Sequence, residues 1–272
     1  MLIVDLRQVD PERPDAAGEY ALQLTSALVR LAVHADVTVL EPGFEGALPS
    51  GELLLLPAGG RPQPGRRCFT AIHDSERVLA PSEAVGEALT RYLRVTADRV
   101  AIVRPGLEPG YSRTTREAAE AARTVFGLPQ RYLLSFGDAG PAERAWAGAT
   151  TPSEGAGLVM VERLRPDREQ LRALLSGAVG ALFTERLNGN PIRALQAMAC
   201  GTPPIVADDG AFPELVRDGG LTVAPESTAD WSEAISALYR GTALRRQLSA
   251  RARELATAQT AEWAAREVLA LI

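Results

Sequence analysis

The residues best suited to chemistry gather around one predicted helix start. Asn188-Gly189-Asn190-Pro191 precedes a run whose apolar residues continue to Cys200. Asn190 is a good N-cap and Pro191 a good first helical residue, so the spacing predicts a helix over 191–200. The first-turn N–H groups of such a helix, those of Ile192 and Arg193 among them, lack intrahelical acceptors and carry the positive end of the dipole. They suit an anion, and a phosphate in particular. Arg193 falls in that first turn, where a cation is disfavoured unless an anion is present. It either contacts a phosphate or stands as a solvated side chain. An ordinary helix of an α/β fold with a good start would carry the same residues. Elsewhere, His73 ends a predicted strand and precedes Asp74; alone, a histidine there is as well explained as a structural hydrogen-bonder. Gly18 lets a ligand approach the backbone closely, or simply starts a helix.

These residues need elements to hold them, and short apolar runs alternate with helical patterns along the chain. Strands are expected over 2–6, 37–40, 53–56, 69–72, 78–80 and 100–103, with helices opened by Asp15 and, over 82–94, by Ser82 as cap. A second series follows: strands at 132–136, ending at Gly137, and at 158–161, 179–183, 204–207 and 221–223. Helices are expected at 167–175, 191–200, 230–240, 243–257 and 262–271. The segment 138–157, rich in Gly, Ala, Pro and Thr, shows little periodicity. Strands without period-2 alternation, separated by helices, predict parallel sheets covered on both faces. Arg104–Pro109 holds two prolines and a glycine and reads as the start of a linker.

Composition narrows the partners. A net charge of −5 offers no overall basic excess for a nucleic-acid backbone. The small basic group Arg61, Arg66 and Arg67, set among Pro62, Pro64 and Gly65, reads as a solvated loop. Cys68 and Cys200 form neither a disulfide framework nor a zinc pattern. No apolar run approaches the ~20 residues needed to span a bilayer, and the first residues do not form a signal peptide. The expected compartment is the cytoplasm, with contact at a membrane surface left open.

The segment 183–225, FTERLNGNPIRALQAMACGTPPIVADDGAFPELVRDGGLTVAP, resembles the donor-binding core of the family 4 glycosyltransferases, the glycosyl transferase group 1 type. The match is dense over Ala197-Met198-Ala199-Cys200-Gly201-Thr202-Pro203, and Pro213-Glu214 and Gly220-Leu221 keep their spacing. Val4-Asp5-Leu6-Arg7, Gly18-Glu19-Tyr20, Ile72-His73-Asp74, the run RVLAPSE at 77–83, Pro105-Gly106-Leu107 and Trp263 resemble further family landmarks in chain order. The resemblance covers nearly the whole chain, shortened just after Asp74 and between Gly137 and Leu158.

That resemblance implies a GT-B-like α/β fold: two Rossmann-type domains with parallel sheets facing across a cleft. Residues 1–108 would form the acceptor-side domain and 109–272 the nucleotide-sugar donor-side domain, with the last helix packing back toward the first. The implied reaction transfers a sugar, with retention, from a UDP- or GDP-sugar to an acceptor not identified, with no cofactor and no metal. Donor binding falls to Gly137, Gly189, Asn190, Pro191, Ile192, Arg193 and Gln196, with Gln196 on the ribose hydroxyls. His73 and Asn188 lie around the transferred sugar, and Gly18 and Asp74 on the acceptor side. Four positions depart from the family pattern. Its two glutamates, eight positions apart, are Asn188 and Gln196 here, and two basic positions are Asp138 and Glu143. Gln196 keeps hydrogen-bonding capacity; Asn188 cannot supply charge to an oxocarbenium-like centre. Glu19 also stands where the family often has a basic residue. Three readings stay open: a working transferase, a catalytically inactive homologue acting as a partner or stabilising subunit of an active glycosyltransferase, and a module that binds another small ligand. Exposed sheet edges also suit a homodimer.

Overall fold

The computed structural model describes residues 2–5, 12, 16–31, 37–40, 53–55, 67–69, 78–152, 154–185 and 191–271. The chain divides into two compact units, one of residues 1–109 with 259–272, the other of residues 110–258.

In the first unit, β1 (Leu2–Asp5), α1 (Ala16–Leu31), β2 (Val37–Leu40), β3 (Leu53–Leu55) and β4 (Arg67–Phe69) come in order. The four strands form a parallel sheet ordered β2-β1-β3-β4. β4 begins two residues before the expected strand, at Arg67, because its ladder pairs Arg67 with Leu53 and Phe69 with Leu55. The first arginine of the strand is thus a ladder residue and not part of a loop. β5 (Val78–Ala80) and β6 (Val100–Ile102) pair in parallel around α2 (Glu83–Leu93). Ser82 caps α2 as expected, its hydroxyl accepting from the Val85 N–H.

The segment 104–109 is not a loose linker. Leu107 and Val103 are buried. Leu107 N–H donates to the Gln259 carbonyl at 3.0 Å, and Ala261 N–H donates to the Leu107 carbonyl at 2.8 Å. Gly106 permits this: a Cβ there would stand 2.1 Å from the Thr260 carbonyl oxygen. The sequence pattern shows the two prolines but not the second stretch of chain lying beside them. Next to this bridge, α11 (Ala261–Leu269) packs on α1. Ala261, Ala264, Ala265 and Val268 meet Ala21, Leu24, Ala27 and Leu28 in one core.

The second unit opens with α3 (Arg116–Val125) and continues through β7 (Arg131–Phe136), α4 (Ala139–Gly148), β8 (Ala156–Met160), α5 (Val161–Leu164), α6 (Arg168–Gly177), β9 (Gly180–Phe183), α7 (Ile192–Ala199), β10 (Pro204–Ala207), α8 (Phe212–Val216), β11 (Leu221–Val223), α9 (Thr228–Arg240) and α10 (Thr242–Thr257). Its five parallel strands are ordered β11-β10-β9-β7-β8. One sheet face buries Leu133, Leu182 and Ile205 against Ala142, Ala145, Trp231, Ile235 and Leu238. The opposite face carries Phe136 stacked on Phe183 at 4.8 Å, with Phe212 tilted against Phe183 at 5.7 Å. α4 corrects the expectation of little structure over 138–157. Its buried residues are Ala142 and Ala145, so its inner stripe is too small to register as a hydrophobic period, while alanine favours the helix. No helix among the described residues is long and apolar enough to cross a membrane.

Candidate functional site

In a parallel sheet with helical crossovers, the loops after the strands gather at one edge, and ligands bind there. At that carboxyl edge of the five-stranded sheet lie Gly137 after β7, Glu162 after β8, and Thr184 and Glu185 after β9. Gly137 has φ +88°, a left-handed conformation that glycine adopts at little cost. A Cβ there would also stand 2.4 Å from Cγ of Glu185. Its N–H donates to Oε1 of Glu162 at 3.2 Å. The Thr184 hydroxyl donates to the Asp138 carbonyl at 3.2 Å, fastening the end of β9 to the turn after β7. Asp138 stands at the N-cap of α4 with an extended backbone, yet its side chain makes no capping bond. Glu143 pairs with Arg163 at 3.5 Å.

The edge is therefore acidic. Partial burial raises the Glu185 carboxyl above its ordinary range, and the nearby charges of Glu162 and Asp138 push the same way. Among the described residues no three His, Cys, Asp or Glu side chains stand close enough to hold a metal ion together.

α7 supplies the opposite sign. Pro191 occupies the N-cap (φ −81°, ψ 18°) and Ile192 is the first helical residue, one position later than the spacing predicts. The cause is local: the Pro191 ψ is not helical, though its carbonyl already accepts the Leu195 N–H at 3.0 Å. Ile192 and the residues from Ala194 to Cys200 are buried, so the helix is fixed on nearly all sides. Arg193 is half-buried and its Nη1 donates to Oε1 of Gln196 at 2.9 Å. Gln196 is only 2% exposed. The pair sits one turn apart on the same helix face.

The end of α7 explains the dense motif that follows. Gly201 has φ +73°, and its N–H donates to the Met198 carbonyl at 2.9 Å while Thr202 N–H donates to Ala197 at 2.9 Å. Thr202 Oγ1 donates to the Leu175 carbonyl. Burial pushes the Cys200 thiol up to about 11, which leaves it unreactive at neutral pH. These residues seat the helix.

Of the residues singled out in the sequence, Gly137, Pro191, Ile192, Arg193 and Gln196 lie at the carboxyl edge of the second unit. Gly18 is buried in the first turn of α1, in the first unit. His73, Asp74, Asn188, Gly189 and Asn190 lie outside the described residues. Sequence reasoning missed Gln23. Its Nε2 donates to the buried Glu19 at 2.8 Å and its Oε1 accepts the Glu108 N–H at 2.6 Å. Glu19 thus helps to hold the 107–109 segment. The Glu19–Gln23 spacing of four was the available signal.

Residues 152–255 match the family model described as glycosyl transferases group 1. Similarity to the group 1 glycosyl transferases is thus shown for that part of the chain. The matched span contains α7, its Arg193–Gln196 pair and the strands on either side of it. A D-inositol 3-phosphate glycosyltransferase of Actinosynnema mirum is 27% identical over 243 residues, covering 73% of this chain and 58% of that protein. The protein of the same name from Mycolicibacterium smegmatis is 26% identical over 218 residues, covering 66% and 50%. The chain thus spans little more than half the length of these curated relatives. Among solved structures, Anabaena Alr3699/HepE in complex with UDP and glucose is similar with a TM-score of 0.72 at 13% identity, covering all of this chain and 99% of that one. WaaG, a glycosyltransferase involved in lipopolysaccharide biosynthesis, is similar with a TM-score of 0.70 at 14% identity, over all of this chain and 99% of the other. The chain therefore has a GT-B fold, the α/β architecture expected from the sequence.

Proposed function

We propose that the chain transfers a sugar from a nucleotide-sugar donor, a UDP-sugar foremost, to an acceptor hydroxyl with retention at the anomeric carbon. One observation carries this reading. Within the matched span, a buried helix begins at the carboxyl edge of a parallel sheet and presents Arg193 bonded to Gln196 in its first two turns. The positive end of the helix dipole and a guanidinium there suit a diphosphate, and the Gln196 amide suits ribose hydroxyls. Gly137 allows the donor to approach the backbone. Asn188 and His73 would surround the sugar, and Gly18 and Asp74 would face the acceptor. In the transfer, the acceptor oxygen bonds to the anomeric carbon as the bond to the diphosphate breaks, and the acceptor proton leaves with the diphosphate. UDP as the nucleotide follows the ligand named for the Anabaena structure.

The first test is calorimetric titration with UDP, GDP and dTDP, with and without magnesium. Micromolar binding of one nucleotide, lost in Gln196→Ala, is the expected result. No binding of any of them at millimolar concentration would overturn the donor reading.

A second reading has an observation of its own. Asp138, Glu162 and Glu185 share the edge where a diphosphate would lie, and carboxylates oppose it. This favours an inactive homologue that steadies an active transferase. Asn188→Glu with Gln196→Glu separates the two. Raised transfer or donor hydrolysis marks a weakened enzyme; no change, together with co-purification of a second transferase, marks the subunit.

A further inference from the structure

The amino edge of the same five-stranded sheet holds a group of guanidinium side chains that the proposed reaction does not use. Arg131 opens β7, and its Nη2 donates to the Tyr239 carbonyl at 2.9 Å. Arg245, in the first turn of α10, donates from Nη1 to that same carbonyl at 3.2 Å and also to the Leu238 carbonyl. Two nitrogens that share one acceptor at these distances lie within about 6 Å of each other. Both side chains are half-buried, and Arg246 follows directly in sequence, exposed. Like charges this close in a partly dry setting repel one another more strongly than in water.

Their ordinary compensation is missing. Glu233, on α9, pairs with Arg240 at 2.6 Å. Among the described residues no carboxylate pairs with Arg131, Arg245 or Arg246. The carbonyls at the end of α9 supply only the half-charge of a helix C-terminus. Burial holds the Arg245 guanidinium below its ordinary value, and the charges of Arg131 and Arg246 add to that effect.

The place is also shaped. Arg131 lies over the Tyr239 ring at 5.0 Å, and the Tyr239 hydroxyl donates to the Arg131 carbonyl at 3.2 Å. Trp146 meets Tyr239 edge-on at 5.7 Å. Arg245 Nη2 donates to the Thr242 hydroxyl at 3.2 Å, which fixes the plane of its fork. Ring stacking and shared carbonyls thus pre-set two guanidinium groups side by side, the arrangement that grips phosphate oxygens.

We propose that Arg131, Arg245 and Arg246 form a binding site for a phosphate-bearing anion at the amino edge of the sheet, separate from the carboxyl-edge site. The shared chemistry is a phosphate group, free or on a lipid headgroup. It follows from unbalanced charge held in place, and needs no sugar transfer.

The test uses the full chain. Inorganic phosphate is titrated and followed by phosphorus NMR, and co-sedimentation is measured with phosphatidylcholine vesicles with and without phosphatidic acid. Arg193→Ala serves as the background, so that the guanidinium proposed for the carboxyl-edge phosphate contact does not contribute. Saturable phosphate binding is expected, at least tenfold weaker in Arg131→Gln/Arg245→Gln. Loss of vesicle binding in the same variant, with free phosphate bound only weakly by the parent, assigns the lipid headgroup; loss of phosphate binding alone assigns the free anion. Should the double variant fail to fold, Arg246→Gln, at an exposed position, must weaken binding several-fold. Equal binding by the parent and by the folded variants in both arms, or no binding by the parent in either, overturns the site.

Discussion

The two edges of the five-stranded sheet carry opposite charge, and they do so in the less expected order. The carboxyl edge, where crossover loops gather and ligands bind in folds of this kind, brings together Asp138, Glu162 and Glu185. The amino edge, which usually serves stability, brings together Arg131, Arg245 and Arg246. Among the described residues of the carboxyl edge, the start of α7 with Arg193 offers attraction for an anion. At the amino edge it comes from side chains alone. The comparison teaches that a donor diphosphate would be held through one narrow element against an adverse background, so single changes on α7 should matter more than the size of the surrounding site suggests.

The comparison breaks most severely if the scaffold of the carboxyl edge is removed. Phe183 ends β9 between Phe136 and Phe212 and is almost wholly buried. Phe183→Ala is expected to cost ~3–5 kcal/mol, seen as a lowered midpoint in urea unfolding, whereas Arg131→Gln at the other edge should cost much less.

Next in size is Arg193→Ala. If α7 carries the attraction, this change weakens UDP binding about tenfold, or ~1.4 kcal/mol, in calorimetry. Binding equal to the parent's would remove Arg193 from the site.

Asp167 sharpens the contrast because it is a carboxylate with a structural task. It accepts the Gln170 N–H at 2.8 Å and forms a capping box with the Gln170 side chain at the start of α6. Asp167→Ala should cost ~1 kcal/mol of stability and leave nucleotide affinity unchanged.

Glu185→Gln is the smallest and most specific test. Its carboxyl sits above the ordinary range, so the folded chain holds that proton more tightly than the unfolded chain does. The stability this contributes is present in acid and lost as pH rises through the raised value. Where the group carries its charge, Glu185→Gln should bind UDP about two- to fivefold more tightly, a modest gain because the group is partly solvated. The gain should shrink as the pH is lowered toward the group's titration.

Much of this molecule is written locally. The strand–helix alternation, the Ser82 cap and the 191–200 helix follow from caps and apolar runs, and the AMACG motif lies within the span that matches the group 1 family model. What escapes the sequence depends on small residues or on distant ones. α3 and α4 bury alanines, Ala119 and Ala122 in one and Ala142 and Ala145 in the other, so neither has a visible apolar stripe. The charge at the carboxyl edge needs residues 138, 162 and 185 brought together by three strand ends. The arginine group needs Tyr239 to collect donors from position 131 and from position 245. Arg193 and Gln196 are each singled out in the sequence, but the hydrogen bond between them is seen only in the structure.

The α1–α11 contact has a consequence for the order in which the chain is made. Leu24, Ala27 and Leu28 leave the ribosome before residues 110–258, while Ala264, Ala265 and Val268, which cover them, emerge only after that segment. During synthesis, therefore, the earlier-made unit waits uncovered while the later-made one already has all its strands. A nascent chain stalled before residue 261 should expose the apolar face of α1, where a holdase would find it.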